Sequence, residues 1–337
     1  MSAAEEIAAE GQAIEAVPKR AMTLGTGTSL VVLAVLLLVP LVVKNFIIFQ
    51  MTMLLIYGVA VLALNILTGG SGQFSLGQSA FYAIGAYTSA ILMEQYNVNY
   101  ALTLPVAGIV CFAAGFLFGL PALRLSGVYL ALATFALATA MPQLLKLGYF
   151  EKWTGGVQGL VVEKPEAPFG LPMSQDMWLY YFTLVITIAI YVASINLLRS
   201  RSGRAFMAIR DNEIAASSMG VNVALYKTLA FGVSAGITGV AGGLGAIAVQ
   251  FVAPDSYTIT LAISLFLGMV VGGVGWLPGS LVGSAFIIFV PNIAESVSKG
   301  LSGAVFGVLL FLVIFLVPHG ARQVAIVGQQ LAARLRR

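Results

Sequence analysis

The chain has 337 residues, of which 59% are hydrophobic and only 9% charged, and its mean hydropathy of +0.98 excludes an ordinary soluble globular domain. Apolar runs of about 20 residues without period-two alternation predict membrane-spanning helices and exclude a β-barrel. A net charge of +4 would raise nucleic acid as a partner only in a soluble protein, and one cysteine (Cys111) with one histidine (His319) excludes a transition-metal site.

In chain order, residues 1–25 form an N-terminal segment whose first 20 residues are acidic and Ala-rich and end in Pro18-Lys19-Arg20. It lacks the basic start and small-residue cleavage site of a signal peptide and reads as a cytoplasmic N-terminal segment. About ten spans follow, near 26–43, 47–68, 74–93, 101–120, 128–147, 177–198, 226–251, 258–274, 280–298 and 301–318. The expected fold is therefore an all-α integral membrane protein, with some helices broken or re-entrant. Two connections are long, one at about 148–176 and one at about 199–225, and a basic tail fills 321–337. Cys111 lies within an apolar run and reads as a small packed hydrophobe.

The basic residues orient this layout. With both termini cytoplasmic, twelve of the 17 Lys and Arg fall inside, including Arg124, Arg199, Arg201, Arg204, Arg210 and Lys227. Only Lys44, Lys146, Lys152, Lys164 and Lys299 fall outside. Positive charge is retained on the cytoplasmic side, so the 148–176 connection is the outer loop and 199–225 the cytoplasmic one.

Several machines are missing from this chain. A phosphate cradle of the G-x-x-x-x-G-K-[ST] kind needs a Gly-Lys pair, and none occurs. Proton relays need an ionisable group at membrane depth, whereas Glu94, Lys146, Lys227 and Glu295 stand at span ends. No triad or carboxylate pair suggests catalysis. The chain is read as neither an enzyme nor an ATPase: it is a passive channel, or a partner supplies its energy.

Glycine, at 37 residues, is clustered. "TGGSGQFSLGQSAFYAIGAY" (68–87) and "GGVGWLPGSLVGSAF" (272–286) each carry G-G-x-G and reach Ser-Ala-Phe some ten residues on, a weak parallel internal repeat. Such backbone leaves the helix only where a cavity or protein shields it. Gly69, Gly70, Gly72, Gln73, Ser75, Gly77, Gln78 and Ser79 are candidates for a substrate pathway, with close helix packing as the alternative. For "AGITGVAGGLGA" (235–246) packing is the favoured reading. In the outer loop, Trp153, Thr154, Gly155 and Gly156 form either a contact for an external protein or a solvated turn; Trp153, Trp178, Tyr180 and Tyr181 fit an interfacial belt.

The cytoplasmic connection has the punctuation of one short helix with loops on either side. Asp211 or Asn212 caps its start, Glu213 suits the positive end of its dipole, and Gly220 ends it. Ile214, Ala215, Ala216, Ser217, Ser218 and Met219 make a small, slightly apolar body between them. That body suits a groove of another protein, with Ala216 against the groove, while a solvated loop explains the arginines alone.

"GRAFMAIRDNEIAASSMGVNVALYKTLAFGVSAGITGVAGGL", together with the first glycine cluster and "TGGVQGL", resembles the branched-chain amino acid ABC importer permeases, specifically the longer of two partner subunits. The resemblance spans about residues 45–320. It implies a transmembrane domain at 26–320 and an ATPase-coupling helix of the E-A-A-x-x-x-G type at Asn212–Gly220. Ala215, Ala216 and Gly220 match that spacing, while Ile214 stands in the Glu position and Glu213 one place before it. It also implies a homologous second permease, two ATPase subunits that bind the ATP and Mg, an extracytoplasmic amino-acid binding protein, and a bacterial inner-membrane location. This chain itself would bind no cofactor. A urea or short-chain amide permease of the same family and a stand-alone channel are the alternatives.

Overall fold

Long apolar runs become helices because hydrocarbon offers no partner for an open N–H or C=O, so each run must bond its own backbone. The computed structural model describes residues 36–41, 43–123, 125, 127–167 and 173–297, together with Ala34 and Gly307. The expected spans at 26–43 and 301–318 lie largely outside the described residues. Segments 1–25 and 321–337 lie wholly outside them, as do Arg124, Lys299 and His319.

Among the described residues the helices are α1 (Asn45–Asn65), α2 (Gln78–Glu94), α3 (Tyr100–Ala122), α4 (Val128–Leu145), α5 (Glu151–Thr154), α6 (Gln175–Arg199), α7 (Arg201–Asp211), α8 (Glu213–Ser218), α9 (Val223–Val249), α10 (Ile259–Gly272) and α11 (Gly279–Val297). Six helical segments are long and apolar enough to cross a membrane, while α2, at 17 residues, and the apolar part of α11, Gly279–Ile293, are shorter. The protein is a multi-pass helical membrane protein. A two-stranded antiparallel ribbon, β1 (Leu160–Val161) on β2 (Phe251–Val252), is a small addition to the all-helical expectation.

The stretch 199–225 departs from the predicted single helix between loops. Arg201–Asp211 is itself helical, with the Ser200 hydroxyl capping Gly203 N–H, and it buries Gly203, Ala205, Phe206 and Ile209. Burial at these spacings fixes one face of α7 to the bundle, so its arginines project from an anchored helix rather than a free loop.

Helix α9 is innermost: its most apolar 18-residue window is 72% buried, against 61% for α1 and 28% for α3, α4 and α6. Small residues make this possible, since helices in lipid associate by close van der Waals approach. A Cβ on Gly85 of α2 would stand 2.1 Å from the Gly239 carbonyl of α9, and one on Gly239 would stand 2.4 Å from Cys111 Sγ of α3. The glycines of 235–246 are thus a packing stripe, as expected. Cys111 is buried among them, its thiol donating to the Phe81 carbonyl at 3.3 Å. Leu102, Ile109, Leu117, Leu132 and Val185 are exposed on helices α3, α4 and α6. Of the expected aromatic belt, Trp178 bonds Tyr100 and Tyr181 reaches the Leu37 carbonyl. Tyr180 departs from it: the side chain is buried, with its hydroxyl on the Leu36 carbonyl.

Candidate functional site

Both glycine clusters break their helices at the same end of the bundle, and the breaks touch. After α1 the chain widens into a π-helical turn, Ile66–Gly70, which loosens the i→i−4 ladder before the helix is abandoned at Gly72–Gly77. The second break, Gly273–Pro278, separates α10 from α11. Gly72 and Gly275, the fourth positions of the two G-G-x-G motifs, both have left-handed backbone, at φ 73° and 81°. A Cβ on Gly69 would lie 2.5 Å from the Gly275 nitrogen, so the two breaks pack backbone to backbone.

Asn65 joins them. Its side-chain amide donates to the carbonyls of Gly273 (3.3 Å) and Trp276 (3.1 Å), and its oxygen accepts from Gly275 N–H at 2.7 Å. Of these, the Gly275 N–H is left open by the helix break, while the Gly273 and Trp276 carbonyls also accept from the N–H groups of Trp276 and Gly279; Asn65 is only 2% exposed. Sequence reasoning passed over this residue. The signal was there, because an amide near the end of an apolar run and four residues before G-G-x-G needs partners.

The predicted pathway residues divide between two environments. The Gln73 amide donates to Ser71 Oγ (2.9 Å) and to the Lys227 carbonyl (3.2 Å). Gln73 and Gly72 line a cavity of about 750 Å³, together with Ser71, Phe74, Leu130, Ile209 and Arg210. Gln78 instead bridges α2 to α9: it donates to Ser234 Oγ at 2.9 Å and accepts from Thr238 Oγ1 at 2.7 Å. Ser75, Gln78 and Ser79 are buried, and the Ser79 hydroxyl has no partner. Gly69 and Gly70 are buried in the π turn, and Gly77 packs against Thr134.

The same cavity is also lined by Asp211, Asn212, Glu213, Ile214, Ser217 and Lys227. The broken helix and the short connection helix α8, far apart in the chain, are therefore neighbours. Helix α8 carries the predicted punctuation: Asn212 Oδ1 accepts from Ala215 N–H at 2.9 Å, and Gly220 follows with φ 83°. Gly220 N–H bonds the Ser217 carbonyl and Val221 N–H the Ala216 carbonyl, a Schellman closure. The Glu213 carboxylate pairs with Lys227 at 2.6 Å. Between the caps, Ile214 is 78% and Met219 85% exposed. Ala216, predicted to face a partner's groove, is 4% exposed and turned into this protein's own body. Of α8 only Ala216 is buried, and its exposed apolar side chains are Ile214 and, at the C-cap, Met219.

At the opposite end, Trp153 is exposed while Thr154 is buried, its hydroxyl donating to the Leu145 carbonyl at 2.9 Å. Gly155 and Gly156 take left-handed backbone, and a Cβ on Gly155 would meet the Gly159 carbonyl at 2.1 Å. The turn is built to hold its shape, and Gln95 reinforces it by donating to the carbonyls of Lys152 and Trp153. A second cavity of about 930 Å³ opens at this end, lined by Glu94, Asn97, Glu163, Lys164, Glu166 and Gln250 among others. Sequence reading did not bring these residues together, since they come from four separate connections or helix ends.

Among the described residues, the fold and the site are those of a multi-pass helical membrane bundle with paired helix breaks and a capped, projecting connection helix. The chain belongs to the family described as branched-chain amino acid transport system / permease component, which it matches over residues 46–317. It is 36% identical over 247 residues to the high-affinity branched-chain amino acid transport system permease protein LivM of Salmonella typhimurium, a match covering 66% of this chain and 58% of that protein. To LivM of Escherichia coli it is 35% identical with the same coverage. To the probable branched-chain amino acid transport permease protein LivH of Methanocaldococcus jannaschii it is 24% identical over 237 residues, 68% of this chain and 73% of that protein. The chain thus spans 58% of the length of the LivM relatives it matches. No solved structure matches it.

Proposed function

We propose that this chain is one permease subunit of an ATP-binding-cassette importer for branched-chain amino acids in the bacterial inner membrane. The observation that carries the reading is α8: a helix capped at both ends that leaves Ile214 and Met219 exposed and sits against the first helix break. An isolated helix of six residues is not stable in water, so its order comes from its caps and from Ala216 packed beneath it. Exposed apolar side chains on so short an element suit the groove of a partner.

In this mechanism two ATPase subunits, which hold the ATP and Mg, receive α8 and its counterpart on a homologous second permease. An extracytoplasmic binding protein delivers the amino acid at the end that carries Trp153–Gly156. ATP favours one of two arrangements through its contacts with the ATPases, and the docked helices carry that bias to the bundle. A branched-chain amino acid is a zwitterion with an apolar tail. Ser71, Gly72 and the Gln73 amide, which line the cavity, suit its head, and small apolar walls suit its tail. This chain supplies a path and a lever, without a bound cofactor of its own.

The test is reconstitution of the chain with its partner permease, ATPases and binding protein in liposomes. The expected result is ATP-dependent uptake of leucine, isoleucine and valine. Uptake that proceeds without ATP, or that survives deletion of 212–220, would identify a channel instead. Urea or short amides moving in place of leucine would overturn the substrate assignment.

A further inference from the structure

The carbonyls that end a broken helix need donors, and in the first break one donor comes from the cytoplasmic connection. Gly69 lies in the π turn, and the chain beyond leaves the helix, so Gln73 N–H bonds the Leu67 carbonyl and leaves that of Gly69 to another partner. Arg210, at the end of α7, donates to the Gly69 carbonyl through Nη1 at 2.8 Å. A cation placed at the negative end of a helix is also electrostatically favourable. The guanidinium is held in that attitude from behind: Nε and Nη2 both donate to Asp211 Oδ1, at 2.9 and 2.8 Å. Its aliphatic stem runs over Gly72, where a Cβ would meet Arg210 Cγ at 3.1 Å.

Arg210 and Asp211 immediately precede Asn212, the cap of α8. One extended residue, Asn212, thus joins α8 to the end of α7 that carries the guanidinium. Gly69 in turn rests on Gly275, so a shift at the first break is felt at the second.

We propose that Arg210 is the positioning residue that transmits movement of the ATPase-docked helix to the paired glycine breaks, by capping the Gly69 carbonyl. This rests on the reading of the chain as an ATP-driven permease. The device depends on the planar fork: two N–H groups lock to Asp211 while a third points forward. The single ammonium of lysine cannot be held and directed in this way.

The test uses the full complex in liposomes, with three readouts: co-purification of the ATPases, amino acid taken up per ATP hydrolysed, and amide hydrogen exchange across 66–78 with and without ATP plus vanadate. Arg210→Gln is expected to assemble and hydrolyse ATP, to lose about tenfold in uptake per ATP, and to lose the nucleotide response of 66–78. Arg210→Lys should recover only part of the coupling, about threefold below wild type. Asp211→Asn, which keeps the guanidinium but weakens its hold, should fall between them and provides the test if Arg210→Gln fails to assemble. Wild-type uptake per ATP with an unchanged exchange response, in Arg210→Gln or in its absence Asp211→Asn, overturns the proposal. If the unaltered complex shows no ATP-dependent uptake, the permease reading is what fails. Exchange at 66–78 in the Arg210→Gln chain alone then still reports on the cap.

Discussion

Asn65 concentrates most of the polar bonding between the two halves of the repeat in one side chain. Asn65→Leu keeps the volume but leaves the Gly275 N–H without its partner and takes one of two donors from each of the Gly273 and Trp276 carbonyls. Leaving such buried groups unpaired costs roughly 1–3 kcal/mol, so the thermal midpoint of the purified protein should fall by several degrees. The two glutamines should behave differently from each other. Gln78→Leu removes a bridge between α2 and α9 and is expected to lower the thermal midpoint. Gln73→Leu, at the wall of the cavity, should slow uptake with a smaller effect on stability. Equal effects of the two on both measurements would show that the cavity wall plays no separate part.

At the scale of the element, α8 has two faces with opposite sensitivities. Ile214→Asp and Met219→Asp alter the exposed face and should weaken ATPase co-purification by about tenfold while leaving the permease folded, as expected of anchors at an interface. Ala216→Arg forces a charge into this protein's own packing and should reduce the yield of folded permease before any partner is met. Gly220→Val puts a branched side chain at φ 83° and costs roughly 1–2 kcal/mol. It should fray α8, visible as faster amide exchange across 213–221. The sequence placed the caps of α8 correctly because capping is local: a side chain and an N–H three residues on suffice. It missed α7, although Gly203, Ala205, Phe206 and Ile209 carry a helical spacing. Their arginine neighbours made the stretch read as a charged loop.

For the whole molecule, the division of Lys and Arg predicts which end faces the cytoplasm, and the structure sets the two ends apart by their cavities. In a Cys111→Ser background, Trp153→Cys should react with an impermeant thiol reagent in intact spheroplasts. Ile214→Cys should react only in inverted vesicles. The reverse labelling would invert the orientation and separate α8 from any cytoplasmic ATPase.

By itself the sequence determined the membrane class, the place of the six long apolar helices among the described residues, the broken stretches and the caps of the short connection helix. Expected spans at 101–120 and 128–147 became Tyr100–Ala122 and Val128–Leu145. All of these depend on hydropathy over one run, or on backbone preferences within a few residues, and such information is local. The tertiary structure alone decided that the two glycine clusters meet through Asn65, that Gln78 bonds α9 while Gln73 faces a cavity, and that Ala216 turns inward. It alone carried Arg210 to the Gly69 carbonyl, 141 residues away in the chain. The Gly275 N–H and the Gly69 carbonyl are groups that their own segments leave open, and each finds its partner far away in the chain. Which distant segment supplies the partner depends on how closely the helices approach, and that was settled by glycines facing glycines across the bundle.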